Sequence, residues 1–198
     1  MPIDFVDILK IAGFSSVPTV IFTWLLNHVL VQRATLKRDK RYLAQRLAII
    51  LERFSVDCAN VINDNDTFDS SGGAAGRRHA QMPVLGAFPS DSDWKAIDAD
   101  FMDRVLSMPN EIELANQAIS FWCEVEGDED CMRTETNNRA RQRGLKAWLL
   151  ACELRRRCGI PTSTLREESW DFVGVLEAKN KEIEDATPKV KRKREIGT

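Results

Sequence analysis

Histidine is scarce in this sequence and the cysteines are not closely paired, which excludes the common metal sites. Only two histidines occur in 198 residues, and the five cysteines include no CxxC spacing. A structural zinc site needs four such ligands at short, paired spacings, so we expect no metal and no cofactor. Most of the cysteines fall on apolar helical positions, where cysteine acts as a small buried side chain, and this argues against a disulfide framework.

An excess of charge of one sign is also missing. The chain has 28 Lys and Arg against 30 Asp and Glu, for a net charge of -2. Nucleic-acid binders normally carry a strong basic excess, so no nucleic-acid partner is expected. Hydrophobic residues at 43% and charged residues at 29% are close to the globular average, and the chain should fold.

No catalytic motif is recognisable. A glycine-rich stretch at 72–76 lacks the GK[ST] ending of a phosphate-binding P-loop. Asp64, Asp66 and Asp69 lack the glycine and the terminal glutamate of a calcium loop. The sequence therefore favours a non-enzymatic interaction or scaffold module over an enzyme. The alternative is a membrane-tethered hydrolase or ligand-binding protein that uses the loop at 63–91.

The most informative feature is an uncharged run at residues 11–32. These 22 residues contain no Asp, Glu, Lys or Arg, and about 20 apolar residues suffice for a helix to cross a bilayer. Basic residues follow the run and acidic residues precede it, which is the positive-inside pattern. The pattern predicts a single-pass anchor at 14–32 in the cell (inner) membrane, with most of the chain cytoplasmic. Interfacial insertion and a core helix of a soluble bundle are the alternatives.

The segments beside this run have readable patterns. Residues 1–13 are expected to form a short amphipathic arm on the membrane surface. Residues 33–62 are predicted to extend the first helix, because apolar residues recur there every three or four positions. The same spacing could seed a coiled-coil dimer, but it persists for too few heptads, and membership in a bundle is favoured. The residues expected to contact lipid headgroups here are Arg33, Lys37, Arg38, Lys40 and Arg41.

Residues 63–91 change abruptly to Gly, Ser, Asp and Pro, and no helical period runs through them. Loops of this length in compact domains are either functional or disordered. Within it, Arg77, Arg78 and His79 are the candidates for contact with an anion or a partner.

Residues 92–186 are predicted to form a helical domain of four helices. Caps and terminators place these helices at about 92–107, 110–127, 131–158 and 164–185. Strand-like alternation is not recognisable anywhere, so the fold class is all-α: a transmembrane helix continuing into a cytoplasmic antiparallel bundle. The buried face expected for the second of these helices consists of Ile112, Ala115, Ile119, Trp122 and Val125.

Two basic regions remain. The helix at 131–158 is rich in arginine, and its basic face is expected to be solvated or salt-bridged, or else to contact anionic lipid or a partner. The tail at 187–198 cannot bury itself and is expected to be disordered. Its lipid-contact candidates are Lys191, Arg192, Lys193 and Arg194. The expected partners are therefore membrane lipid and an unidentified protein, self-association included.

Overall fold

The structure, a computed structural model, describes residues 5–90, 94–126, 129–167 and 170–178, with the backbone alone over 5–27 and at positions 29, 123, 126 and 129. Every regular element in these ranges is helical, which confirms the all-α prediction. The helices are α1 (Phe5–Ser70), α2 (Ala99–Leu106), α3 (Met108–Glu126), α4 (Glu129–Cys158) and α5 (Phe172–Glu177). Two short 3₁₀ segments lie at Trp94–Ala96 and Thr164–Glu167.

Helix α1 is unusually long. Its 66 residues form one helix about 100 Å in length at 1.5 Å per residue. The described side chains between residues 28 and 39 are all exposed, and burial begins at Leu43. We call residues 28–42 the stalk. It connects the N-terminal part of α1 to the helical bundle.

The predicted anchor at 14–32 falls largely on residues whose side chains lie outside the described part of the chain. Within the described part, none of the helices combines the length and the apolar character that crossing a membrane requires. The anchor stays a prediction.

Helices α1 and α4 pack antiparallel and form the centre of the bundle. Asn65 of α1 meets Asn137 near one end of the pair, and Glu52 meets Arg155 near the other. Between these ends, Gly144 lets the two helices approach closely, because a Cβ there would lie 2.7 Å from Cβ of Cys58. The α1 side chains buried in this interface include Leu43, Leu47, Leu51, Phe54, Cys58 and Ile62.

The arginine-rich surface of α4 is salt-bridged. Because α4 lies between α1 and α3, its basic residues find carboxylates on both neighbours and on its own preceding turn. Arg143 and Lys146 share Glu111 of α3, and Arg155 binds Glu52 of α1 through both carboxylate oxygens. The other pairs are Arg133 with Asp69, Arg139 with Glu135, and Arg157 with Glu153.

The predicted C-terminal end of the helix at 131–158 is confirmed. Gly159, at φ +63°, closes α4, and the amide of Ile160 donates to the carbonyl of Arg155 at 2.9 Å, as in a Schellman cap. The helix predicted at about 92–107 begins later than expected: Trp94–Ala96 form a 3₁₀ turn, and Asp98 caps α2 by accepting from the amide of Phe101. The helix expected at 164–185 differs: a 3₁₀ turn at Thr164–Glu167 is followed by the short helix α5, capped by Asp171.

Helix α1 also runs eight residues into the segment expected to be a loop. The sequence there, Asn-Asp-Asn-Asp, has low helix propensity. Tertiary contacts compensate for it: Asn65 is buried against Asn137, Asp66 accepts from Asn137 at 3.0 Å, and Asp69 pairs with Arg133. The loop therefore begins at residue 71.

Candidate functional site

The loop after α1 folds back along the helix that precedes it. Gly76 lies so close to α1 that a Cβ there would be 2.5 Å from the carbonyl oxygen of Asp64. The amide of His79 donates to Oδ1 of Asn65 at 2.7 Å, and the amide of Met82 donates to Oδ1 of Asn116 in α3 at 2.8 Å. The loop therefore bridges α1 and α3.

The three residues predicted from this loop have different surroundings. Nε2 of His79 lies 2.9 Å from Oδ2 of Asp64, and both side chains are partly exposed. The guanidinium of Arg78 stacks over the ring of Phe68, with 5.1 Å from its Cζ to the ring centroid. Arg77 is exposed to solvent. The structure thus brings His79 and Arg78 to one groove and leaves Arg77 outside it.

This groove, which we call the loop groove, has a volume of about 550 Å³. Asp57, Asp64, Arg78 and His79 supply its charges. A carboxylate bound to an imidazole can orient a general base, but the groove lining contains no Ser, Thr, Cys or Lys to act as a nucleophile. The groove therefore offers polar and charged contacts to a ligand.

The described part of the chain offers no metal centre, and three of its thiols are not activated. No three side chains of His, Cys, Asp or Glu converge there to hold an ion. The described cysteines are free, and burial raises the pKa of the Cys58, Cys152 and Cys158 thiols above the usual value. A raised pKa keeps a thiol protonated and therefore unreactive at neutral pH.

The predicted lipid-contact residues of α1 lie on the stalk. Arg33, Lys37, Arg38 and Arg41 are exposed, and Lys40 is partly buried. Lys37, Arg38 and Arg41 line a second groove, against the turn that follows α4. The tail candidates Lys191, Arg192, Lys193 and Arg194 lie outside the described residues.

Sequence analysis was wrong about one face of α3. Ile112, Ala115 and Ile119 are buried as predicted, but Trp122 is 37% exposed and Val125 is 60% exposed. At 100° per residue, Val125 lies about 120° around the helix from Ile119, on a different face. Two successive steps of three residues placed Trp122 and Val125 on the stripe of Ile119, although the rotation accumulated over the two steps moves Val125 to a different face.

The exposed residues form a continuous apolar surface, which we call the α3 stripe. Leu114, Phe121 and Val125 are 62%, 57% and 60% exposed, and with Ala118 they fall within about 60° of arc on the helix. Trp122 borders them, its ring 5.8 Å from that of Phe121 in an edge-to-face contact. Large apolar side chains aligned in this way on a surface are typical of a binding site for another protein.

The α3 stripe has an acidic border. Helix α3 contains four glutamates and neither Lys nor Arg. Glu113 and Glu124 are exposed on one flank of the stripe, whereas Glu111 faces α4 and binds Arg143 and Lys146. The free surface of the helix is therefore apolar with negative charge along one side.

Comparisons with protein-family models, with curated proteins and with solved structures find no match to this chain.

Proposed function

We propose that this protein is a membrane-tethered interaction module whose α3 stripe binds an amphipathic helix of a partner protein. The observation that carries the proposal is the stripe itself: Leu114, Phe121 and Val125 lie in one row bordered by Trp122, with substantial exposed area. An apolar row of this kind is stabilised when a second helix covers it, with anchors every three or four residues.

The charges beside the stripe define the partner. Glu113 and Glu124 are 11 residues apart, which is about 16 Å along the helix axis. A partner helix with Lys or Arg three turns apart would place its positive charges over both carboxylates. A second copy of α3 would instead bring glutamates together along the same border, which like-charge repulsion disfavours.

The tether is the second part of the proposal. Helix α1 is continuous from Phe5 to Ser70, so a membrane anchor at 14–32 would hold the bundle through the stalk without a flexible hinge. The basic residues at 33–46 and in the tail would face the anionic inner surface, where each contributes about 1 kcal/mol of attraction. This arrangement supports a location at the cell inner membrane with the bundle in the cytoplasm.

The α3 stripe is tested by paired substitutions in the full-length protein, purified with its partners from the membrane fraction. Phe121→Ser with Val125→Ser removes two of the exposed anchors and should reduce recovery of a specific partner about tenfold or more. Ile49→Ser with Val84→Ser removes exposed apolar side chains from another face and should leave recovery unchanged.

The partner recovered must have the predicted chemistry. Charge reversal at Glu113 and Glu124 to lysine should weaken binding, and the contacting segment of the partner should be an apolar helix with basic residues. Equal recovery by both double variants would contradict the proposal. A partner that is a second copy of this chain, or a contacting segment without basic residues, would contradict the assigned occupant.

The tether is tested by alkaline carbonate extraction of membranes from cells that express the full chain. We expect the protein to stay in the membrane pellet, and external protease to leave the bundle intact in unbroken cells. A Leu25→Arg, Leu26→Arg variant places two charges in the uncharged run and should shift the protein to the soluble fraction. Release of the wild-type protein by carbonate, or cleavage of the bundle from outside, would overturn the tether.

A further inference from the structure

The groove beside the stalk is lined by cations. It lies between α1 and the turn after α4 and has a volume of about 740 Å³, within the usual range for a small-molecule site. Its charged lining residues are Lys37, Arg38, Arg41 and Arg155, and no carboxylate lines it. Most ligand pockets are largely apolar, so this lining indicates an anionic ligand. We call it the basic groove.

Two arginines of the basic groove are held in place by the turn that forms its far wall. Arg41 donates to the carbonyl oxygen of Gly159 at 3.1 Å, and Arg155 donates to that of Pro161 at 2.8 Å. Arg155 is also bound to Glu52 through both carboxylate oxygens, at 2.6 and 2.9 Å. Arg155 is therefore fixed in the wall of the groove, and the carboxylate of Glu52 balances its charge. The net positive charge of the groove comes from the basic residues of α1.

The donors on α1 repeat along one face of the helix. Arg38 and Arg41 present planar guanidinium groups, Lys37 an ammonium, and Tyr42 and Gln45 a hydroxyl and an amide. Arg38 contacts Asp39 at only 3.8 Å, with both side chains largely exposed, so that ion pair is weak. Guanidinium groups match the oxygens of phosphate in a two-point geometry, and a phosphomonoester carries nearly two negative charges.

The position of the basic groove suggests where such a phosphate would come from. Residues 37–45 begin five residues after the uncharged run ends at Gln32, which places them about 8 to 20 Å further along the helix. If the run spans the bilayer, the groove lies just beyond the headgroup layer, which is about 5 to 8 Å thick on each side, and it faces headgroups that project from the surface. This part of the inference rests on the proposed function.

We propose that the basic groove binds the phosphomonoester of a phosphorylated lipid headgroup through Lys37, Arg38 and Arg41. The basic groove and the α3 stripe are separate sites, because the stripe lies on a different helix. It would add a specific lipid contact to the general attraction of the basic segment for an anionic surface.

The test uses the full-length protein in neutral detergent micelles and a water-soluble, short-chain phosphoinositide, at an ionic strength of about 0.15 M. Arg38→Gln with Arg41→Gln should weaken binding by about tenfold or more. Arg33→Gln with Lys40→Gln removes the same charge from the same segment, but neither residue lines the groove, and binding should change less than about twofold. Thermal unfolding of each variant checks that the bundle is intact.

Three results would overturn the proposal. Absence of phosphoinositide binding would exclude the site. Equal weakening of phosphoinositide binding by both double variants would show that the basic segment attracts the ligand by its overall charge and that the groove does not bind it specifically. Inorganic phosphate binding as tightly as the phosphoinositide would exclude the headgroup as the source. Because the soluble probe does not require membrane insertion, each result is independent of the carbonate extraction that tests the tether.

Discussion

Glu111 is the residue through which α3 is fixed to α4. Oε2 of its carboxylate accepts from Arg143 at 2.6 Å, and its other oxygen accepts from Lys146 and from the hydroxyl of Ser107. Desolvation raises the pKa of Glu111, but the hydrogen bond and charge of Lys146 and the charge of Arg143 outweigh it, so the net pKa is lowered. The carboxylate is therefore held in its charged form.

Substitution of Glu111 should produce a pH-dependent loss of stability. At neutral pH, Glu111→Gln should lower the free energy of unfolding by about 1 to 2 kcal/mol, because both cations lose a charged partner. A lowered pKa in the folded state stabilises the fold above the unfolded pKa of about 4.3, and this stabilisation is lost as the pH falls through the lower folded value. The difference from wild type should therefore be full at pH 7 and shrink below about pH 4.

Thermal unfolding of the full-length protein, followed by circular dichroism across this pH range, measures the effect. Glu113→Gln is the matched control, since Glu113 is exposed and its carboxylate accepts a hydrogen bond from Nε2 of Gln117 at 3.4 Å, with no ion pair to another described residue. Its stability should stay within about 0.5 kcal/mol of wild type. A Glu111→Gln difference that does not change with pH would contradict the assigned ion pairs.

At the scale of elements, the sequence predicts helices well where local signals are strong. Gly159 marks the end of α4 through a signal that depends on neighbouring residues alone, and that end was predicted. The caps at Asp98 and Asp171 were not predicted, because other Ser, Thr and Asp residues nearby offer the same local signal. The continuation of α1 through Asn65 was missed because it depends on Asn137, which is 72 residues away. Contacts at such separation leave no periodic trace in the sequence.

The candidate sites show the same contrast between local signals, which the sequence reveals, and contacts between distant residues, which it does not. The basic residues of α1 were identified from charge alone, whereas their groove depends on the turn at 159–161, more than 100 residues further on. His79 was identified as a candidate without its partner Asp64. Trp122 and Val125 were assigned to the buried face of α3, since apolar spacing identifies an amphipathic surface without showing whether another element of the same chain covers it.

The α1 and α4 pair depends on a close approach at Gly144. A Cβ there would meet Cβ of Cys58 at 2.7 Å and Cδ2 of Leu176 at 2.9 Å. The side chain of Leu176 can shift, but Cβ of Cys58 is fixed to the backbone. Gly144→Ala should therefore separate the helices and lower stability by about 1 to 2 kcal/mol, despite the higher helix propensity of alanine.

Thermal or urea unfolding of Gly144→Ala checks this expectation. Gln142→Ala, at an exposed position of the same helix, controls for propensity and should have little effect. Stabilisation of the protein by Gly144→Ala would show that α1 and α4 do not approach as closely as described.

At the scale of the whole molecule, three surfaces extend away from the core of the bundle. The stalk of α1 leads towards the predicted anchor, the basic groove lies at the base of the stalk, and the α3 stripe lies on a helix that packs against α4. In the proposed arrangement, the first two surfaces face the membrane and the third binds a protein. The fold thereby separates attachment from recognition.

The most direct measurement of partner recognition is photocrosslinking of the full-length protein in intact cells. The photoreactive residue benzoylphenylalanine is placed at position 121 of the α3 stripe and, in a separate control protein, at position 49 of α1. Mass spectrometry then identifies the attached peptide. We expect a specific crosslink at position 121 alone, to an apolar helical segment with Lys or Arg about three turns apart. The absence of any crosslink at position 121, or the same products from both positions, would contradict the account.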